Sequence, residues 1–217
     1  MRSWGCPHDN LVAIFDGHLQ PTCRPGGDAN WKLTLHDRQT FAGKERLHGL
    51  KYQACVFPNG ICCVWGPWRG CEHDATMFRR SDVLETLREV SEEQGVDFCC
   101  FGDSAYPLSR FMQHILKAPA EGELTRLERR YNALMGRFRI VIENCFGEAT
   151  QYFGMLQHRH NLRLGSQQVG KLFPLAMFIF NIHTLFYGNQ TTAYFEGEHM
   201  VLDVSVEDYL SLADEFQ

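Results

Sequence analysis

The chain has 217 residues, of which 44% are hydrophobic and 22% charged, a balance that fits one globular domain with a substantial core and excludes disordered and fibrous architectures. The formal charge of -5 is unevenly spread: residues 191–217 hold seven acids (Glu196, Glu198, Asp203, Glu207, Asp208, Asp214, Glu215) and no Lys or Arg, which leaves the rest of the chain at +2. Residues 126–163 carry seven arginines against Glu128, Glu143 and Glu148, a basic segment compatible with a polyanionic partner.

In chain order, NLVAIFDGH reads as a buried strand that stops at Asp16-Gly17, because Leu11 to Phe15 is continuously apolar. HGLKYQACVFPNGICCVWGPWRG predicts two strands around Pro58-Asn59-Gly60, since Asn-Gly between apolar runs signals a hairpin. HDATMFRRSDVLETLREVSEEQG has helical spacing, with Met77, Val83 or Leu84, Leu87 and Val90 near one face and Gly95 ending it. VDFCCFGDSAYP predicts a second buried strand stopping at Gly102-Asp103, and LSRFMQHILK a short helix over 108–117. A long helix follows from Glu123 to Phe153, with Leu127, Tyr131, Leu134, Phe138, Ile142 and Cys145 stepping by three or four. An apolar helix over about Gln168 to Tyr187 packs under the sheet, and the acidic tail 189–217 is loosely structured. This order, three antiparallel strands and then a crossover to a fourth, is that of a ribonuclease H-like α/β domain with a mixed sheet flanked by helices.

No uninterrupted apolar run reaches the roughly 18 residues that cross a bilayer. KLFPLAMFIFNIHTLFY contains Pro174, Asn181 and His183 and fits a buried helix better, so no membrane association is expected. MRSWGCPHDN lacks the apolar centre of a secretory signal. The nine cysteines include the adjacent pairs Cys62-Cys63 and Cys99-Cys100 inside apolar runs, which points to reduced thiols in an intracellular setting. Zinc held by Cys6, His8, Cys71 and His73 competes with that reading, but no C-x-x-C pair is present.

Asp16 and Asp103 both fall at predicted strand ends, where open α/β sheets gather ligands. Carboxylates brought together repel unless a divalent cation neutralises them, and Mg²⁺ or Mn²⁺ suits oxygen ligands. Two such ions activate water and stabilise a leaving oxygen in phosphodiester cleavage. Asp74 starts a predicted helix, and Glu143 lies on the long one. Taken singly, each acid has a plain structural role: turn, helix cap, or for Glu143 an ion pair with Arg139.

The set IFDGH, GCEHDATMFRRSDV, CFGDSAYPL, ERRYNALMGRFRIVIENCFG and FNIH, over about residues 11–187, resembles the DDE endonuclease domain of Harbinger-type transposases and their domesticated relatives. The resemblance implies a DDE endonuclease domain over 1–188. It implies that Asp16, Asp103 and Glu143 form the catalytic triad, with Asp74 as an accessory ligand and Mg²⁺ or Mn²⁺ as cofactor. The 39 residues between Asp103 and Glu143 fit this class. It further implies a DNA substrate, a nuclear location, a separate Myb-like DNA-binding partner and a homodimer when two DNA ends are joined. Asn144 stands where the family usually has arginine, and the helical N-terminal region such transposases carry is not seen before the first catalytic strand. A domesticated domain that binds DNA or protein and cuts nothing is therefore the alternative.

Arg126, Arg129, Arg130, Arg137 and Arg139 share a helix with Glu143 and are the expected phosphate contacts. Arg79, Arg80 and Arg88 carry a weaker signal, and His73 is a candidate helper of the metal ligands or a support for its turn. FGDS also fits the nucleophile motif of GDS-type esterases, with Ser104 attacking. No Asp-x-x-His follows near the C-terminus to supply the base, and the motif lies in mid-chain.

Overall fold

The first apolar run builds β1 (Leu11–Pro21) in the computed structural model, which describes residues 6, 8, 10–25, 35–157, 162–164, 167–195 and 204–214. Most of the stretch read for a secretory signal lies outside the described residues, as do Glu196, Glu198, Asp203 and Glu215 of the acidic tail. After α1 (Leu35–Thr40) and the short β2 (Phe41–Ala42) come β3 (Leu47–Val56) and β4 (Cys62–Arg69). The Pro58-Asn59-Gly60 hairpin joins β3 and β4 as expected; Gly60 has φ 82°, and the Asn59 side chain accepts from the Ile61 N–H at 3.1 Å.

Strand β5 (Cys99–Gly102) lies parallel to β1 and β6 (Met112–His114) parallel to β5, whereas β3 pairs antiparallel with β1, β2 and β4. The sheet order is β2-β3-β1-β5-β6, with β4 also on β3. Two expectations are corrected by this sheet. Strand β1 does not end at Asp16-Gly17; it continues because the ten-residue β3 pairs with it from Ile14–Val56 to Pro21–Gly49. The segment expected as a helix over 108–117 instead supplies β6: the free edge of β5 takes up backbone groups of Phe111 to His114, and Met112 is fully buried. Tertiary pairing outweighs a short segment's helix propensity.

The helix expected after the hairpin is two helices, α2 (Asp74–Arg80) and α3 (Val83–Gln94). They break because Asp82 is left-handed (φ 54°) and Ser81 is fixed on both sides: its hydroxyl donates to the Phe78 carbonyl at 2.8 Å and accepts from Gln53 Nε2 of β3 at 3.0 Å. Gly95 closes α3 in the left-handed conformation (φ 64°), as expected.

The long helix α4 (Arg126–Tyr152) starts at a capping box, with Thr125 and Glu128 each accepting the other's backbone N–H. Its buried stripe begins a turn or more later than the spacing suggested, at Met135, and Leu127 is 78% exposed. The apolar helix α5 (Val169–Tyr187) is, by length and composition, able to cross a membrane, yet Phe173, Ala176, Met177 and Phe180 are buried in the core. Asn181 clasps β4 from α5: its Nδ2 donates to the Cys62 carbonyl at 2.7 Å, and its Oδ1 accepts from the Cys62 N–H at 2.9 Å.

The segment expected to be loose contains α6 (Gln190–Phe195) and α7 (Val206–Asp214). Buried Phe195 stacks on Phe138 of α4, and Tyr209 stacks on Phe178 and meets Asn181. Apolar side chains at the right positions dock this acidic stretch despite its charge.

Alternation along the strands makes two core layers. Ile14, Tyr52, Ala54, Val56 and Phe101 face α4 and α5; Ala13, Phe15, Cys55 and Cys100 face α2 and α3 with Tyr106. None of the nine cysteines is in a disulfide. Among the described residues no group of three or more His, Cys, Asp or Glu is arranged to hold a metal, so the zinc alternative on Cys6, His8, Cys71 and His73 finds no support.

Candidate active site

The last paired residues of the parallel strands are Ile14 and Phe101. Asp16 and Asp103 each follow that pair by two residues, so the two acids stand at the same level of neighbouring strands, Asp16 within β1 and Asp103 just past the end of β5. Asp103 starts the turn that returns the chain at Tyr106, whose N–H donates to the Asp103 carbonyl at 3.0 Å.

Asp74 opens α2 and reaches the same place from the other side. A Cβ built on Gly17 would lie 2.9 Å from Asp74 Oδ1, so the glycine after Asp16 makes the room that carboxylate uses. Any side chain there would push Asp74 off the strand.

Burial raises the Asp16 carboxyl above its usual range, and the negative charges of Asp103 and Asp74 push it the same way. The N–H of Gly17, 2.8 Å from Asp16 Oδ1, and the Arg139 guanidinium, with Nη2 3.5 Å from Oδ2, act against that rise. Three aspartates thus share one field.

Tyr106 lies beneath them. Its ring packs over Gly102 and edge-on to Phe78, and its hydroxyl is buried with no hydrogen-bond partner among the described residues. Burial and the fields of Asp74, Asp16 and Asp103 hold the phenol far above its ordinary range, so it stays a neutral donor.

Glu143 stands apart from this group. It is 59% exposed and meets Arg139 Nη2 at 3.8 Å, one helical turn away. Arg139 therefore bridges Asp16 and Glu143, and its Nε is buried without a partner among the described residues. Read in sequence as a phosphate contact, Arg139 is turned inward on the acids. The other four arginines of that set, Arg126, Arg129, Arg130 and Arg137, are exposed. Arg126, Arg130 and Arg137 fall within about 40° of one another around α4, while Arg129 meets Glu123 at 3.5 Å.

The second cation is Lys51 of β3, whose Nζ lies 3.4 Å from Asp74 Oδ1 and donates to the Glu72 carbonyl at 2.9 Å. The sequence reading passed over it. Its signal is a lone lysine in the strand run HGLKYQACV; Gly17 and Tyr106 carried theirs in the DG and GDSAYP stretches. Ser104 forms no hydrogen bond to a histidine among the described residues, and its carbonyl accepts from Lys117 Nζ at 3.3 Å. The base that a serine nucleophile requires is not beside it.

What this arrangement offers is a set of hard oxygen donors, partly desolvated and partly offset by two side-chain cations. Carboxylate oxygens are the donor chemistry of a small divalent ion, although among the described residues no three of these acids are gathered closely enough to hold one. No curated protein and no solved structure matches the chain. A family model described as DDE superfamily endonuclease matches residues 15–181, from the residue before Asp16 to the asparagine that clasps β4. That span holds all four acids and well over half of the chain, which therefore belongs to the DDE superfamily endonucleases.

Proposed function

We propose that this chain is a divalent-metal-dependent DNA endonuclease of the transposase type, of the Harbinger subtype and with a ribonuclease H-like core. The observation that carries the reading is the position of Asp16 and Asp103 at one level of parallel neighbours, with Asp74 against Gly17. The strand order, with β1 central between antiparallel β3 and parallel β5, supports the ribonuclease H-like assignment.

The donor chemistry, though not the present spacing of the side chains, fits Mg²⁺ or Mn²⁺: the donors are carboxylate oxygens, and Asp16 carries a charge that burial and two neighbouring acids make costly. Asp16 and Asp103 would hold the ion, with Asp74 as a further ligand and Glu143 joining on release from Arg139. The bound ion supplies Lewis-acid polarisation of the phosphodiester and a lowered pKa for the attacking water or 3'-hydroxyl. The protein's own part is orientation. The Gly17 N–H fixes one oxygen of Asp16, and Tyr106, neutral and buried, keeps water from the underside of the acids. Arg139 holds Asp16 and Glu143 together and, in its place, carries the charge a metal would otherwise supply. The exposed Arg126, Arg130 and Arg137 offer phosphate contacts along α4. A Myb-like partner, dimerisation when ends are joined and a nuclear location complete the proposal.

Arg139 between Asp16 and Glu143 also favours a second reading, a domesticated domain that binds DNA or protein without cutting. Cleavage of supercoiled plasmid in Mn²⁺ decides between them. The endonuclease nicks or linearises plasmid, loses this with Asp103→Asn by at least about a hundredfold, and keeps it with Ser104→Ala. A wild-type protein that leaves plasmid intact, while Mn²⁺ leaves its Tm unchanged, removes the first reading, because a ligand of the folded state must raise Tm.

A further inference from the structure

Cys55 of β3, Cys62 and Cys63 of β4, and Cys99 and Cys100 of β5 all lie in the sheet, and the proposed cleavage uses none of them. Two pairs of thiols touch: Cys62 meets Cys145 of α4, and Cys55 meets Cys63. The second pair is placed by the ladder itself, since Cys55 and Cys63 are directly opposite residues of antiparallel β3 and β4. Opposed side chains share one face of a sheet, here the face with Phe15, Phe78 and Tyr106.

The two strands hold these residues at a separation that a disulfide accepts. Directly opposite residues have Cα atoms about 5.5 Å apart in a hydrogen-bonded pair and about 4.5 Å apart in a non-hydrogen-bonded one. A disulfide spans roughly 4.4 to 6.8 Å, so either kind of pair can be bridged with the ladder in place. The thiols are also unequal. The Cys55 S–H donates to the Cys63 sulfur and holds that thiol below its ordinary range against the effect of burial, while burial and the same bond push Cys55 well up. The thiolate, not the thiol, is the nucleophile. Access favours the same member: Cys55 is buried and Cys63 half-buried. Cys62 and Cys145 are both buried, so a reagent in water meets neither.

We propose that Cys55 and Cys63 form an oxidisable dithiol, a modification site at which a hydroperoxide converts the opposed thiols into a cross-strand disulfide. The Cys63 thiolate attacks one peroxide oxygen, the O–O bond breaks, and the leaving hydroxide takes the proton that Cys63 released, giving water and a sulfenic acid on Cys63. The Cys55 sulfur then attacks the sulfenic sulfur. The S–O bond breaks, and the leaving hydroxide departs as a second water with the proton of Cys55. Two electrons pass from the sulfurs to the peroxide, and a dithiol reductant reverses the bond by exchange. Cys55 is also opposite Phe15 of β1, so the modification falls in the layer on which Asp16 rests.

The test uses the whole chain, hydrogen peroxide and trypsin. Cuts after Lys51 and Arg69 release one peptide, residues 52–69, that holds Cys55, Cys62 and Cys63. After peroxide, denaturation and alkylation, that peptide carries one alkyl group, on Cys62, and is otherwise lighter by two hydrogens. Its fragment spectrum lacks separations between Cys55 and Cys63. Reduction before alkylation restores three alkyl groups. Cys63→Ser loses the crosslink and leaves Cys55 alkylated. Cys55→Ala stops at the Cys63 sulfenic acid, which dimedone captures. Melting curves check that each variant is folded, and the wild-type mapping needs no variant. Exposed Cys71, on the next peptide, reports that the dose sufficed. Wild type with Cys55 and Cys63 both alkylated at a dose that oxidises Cys71 overturns the proposal. So does a bond from either thiol to Cys62 or Cys100, or a crosslink that forms only in urea.

Discussion

Asp16 shows at the scale of one side chain how the site is maintained against the fold's own stability. Its folded-state pKa lies above the ordinary carboxylate value of 3.8 because burial outweighs Gly17 and Arg139. The folded chain therefore binds that proton more tightly than the unfolded chain does. The stability this gives is complete below about pH 3.8 and is lost as pH rises through the folded value. At neutral pH the ionised carboxylate is a net cost, as expected where function requires strain. Asp16→Asn, which resembles the protonated form, should raise Tm in EDTA at pH 7. The gain should fade towards pH 4. Thermal melts at both pH values check it, and a variant that melts no higher than wild type at pH 7 refutes the account. The acids themselves were legible in the sequence, because Asp-Gly and Gly-Asp after apolar runs are local signals. The inward turn of Arg139, the pairing of Lys51 and the burial of the Tyr106 hydroxyl were not, since each depends on a neighbour 20 or more residues away.

Among the elements, those with a strong local pattern were read correctly: the β3–β4 hairpin, β5, α4 and α5. The misreadings share one cause. Strand β6, the α2–α3 break and the docking of α6 and α7 are decided by partners remote in sequence: the open edge of β5, Gln53 on Ser81, and Phe138 under Phe195. Asn181 makes the same point from within a helix long and apolar enough to cross a membrane. Its amide satisfies both backbone groups of Cys62 and donates to the Tyr209 hydroxyl at 2.8 Å. Asn181→Leu leaves those buried groups unpaired, at about 1 to 3 kcal/mol each, and should cost about 2 to 4 kcal/mol in urea unfolding. It should also speed amide exchange in α7 ahead of the rest of the chain. Exchange in α7 no faster than in wild type would show that Tyr209 is held by its stacking on Phe178 alone.

For the molecule as a whole, the sheet with helices on both sides was visible in the order of elements, whereas the two-layer core was visible only once strand directions were known. One consequence of that core is acid sensitivity. His18 sits between Phe173, stacked nearly parallel at 4.2 Å, and Phe146 at 4.9 Å, with Nε2 buried and unpartnered among the described residues. Burial depresses its pKa to about 4 from 6.5. The unfolded chain takes up the proton first, so the stability His18 contributes is present above pH 6.5 and is lost as pH falls towards 4. At about 1.4 kcal/mol per pH unit, the loss approaches about 3 kcal/mol. Urea unfolding at pH 7 and pH 4.5 should show a smaller loss for His18→Leu than for wild type, and an equal loss would place the acid sensitivity elsewhere.

Strand β1 lies in the middle of the sheet, between neighbours that follow it by dozens of residues. Asp16 meets Asp103 only after the parallel crossover to β5 has closed, and Arg139 only after α4 has docked. Pairings so distant in sequence form late, because the entropy of closing the loop must be spent before the contact is gained. On the endonuclease reading, a chain still being synthesised, or one trapped half-folded, holds its carboxylates scattered and cannot assemble a cutting centre. The capacity to damage DNA then appears together with the finished fold, and a misfolded copy is inert by construction.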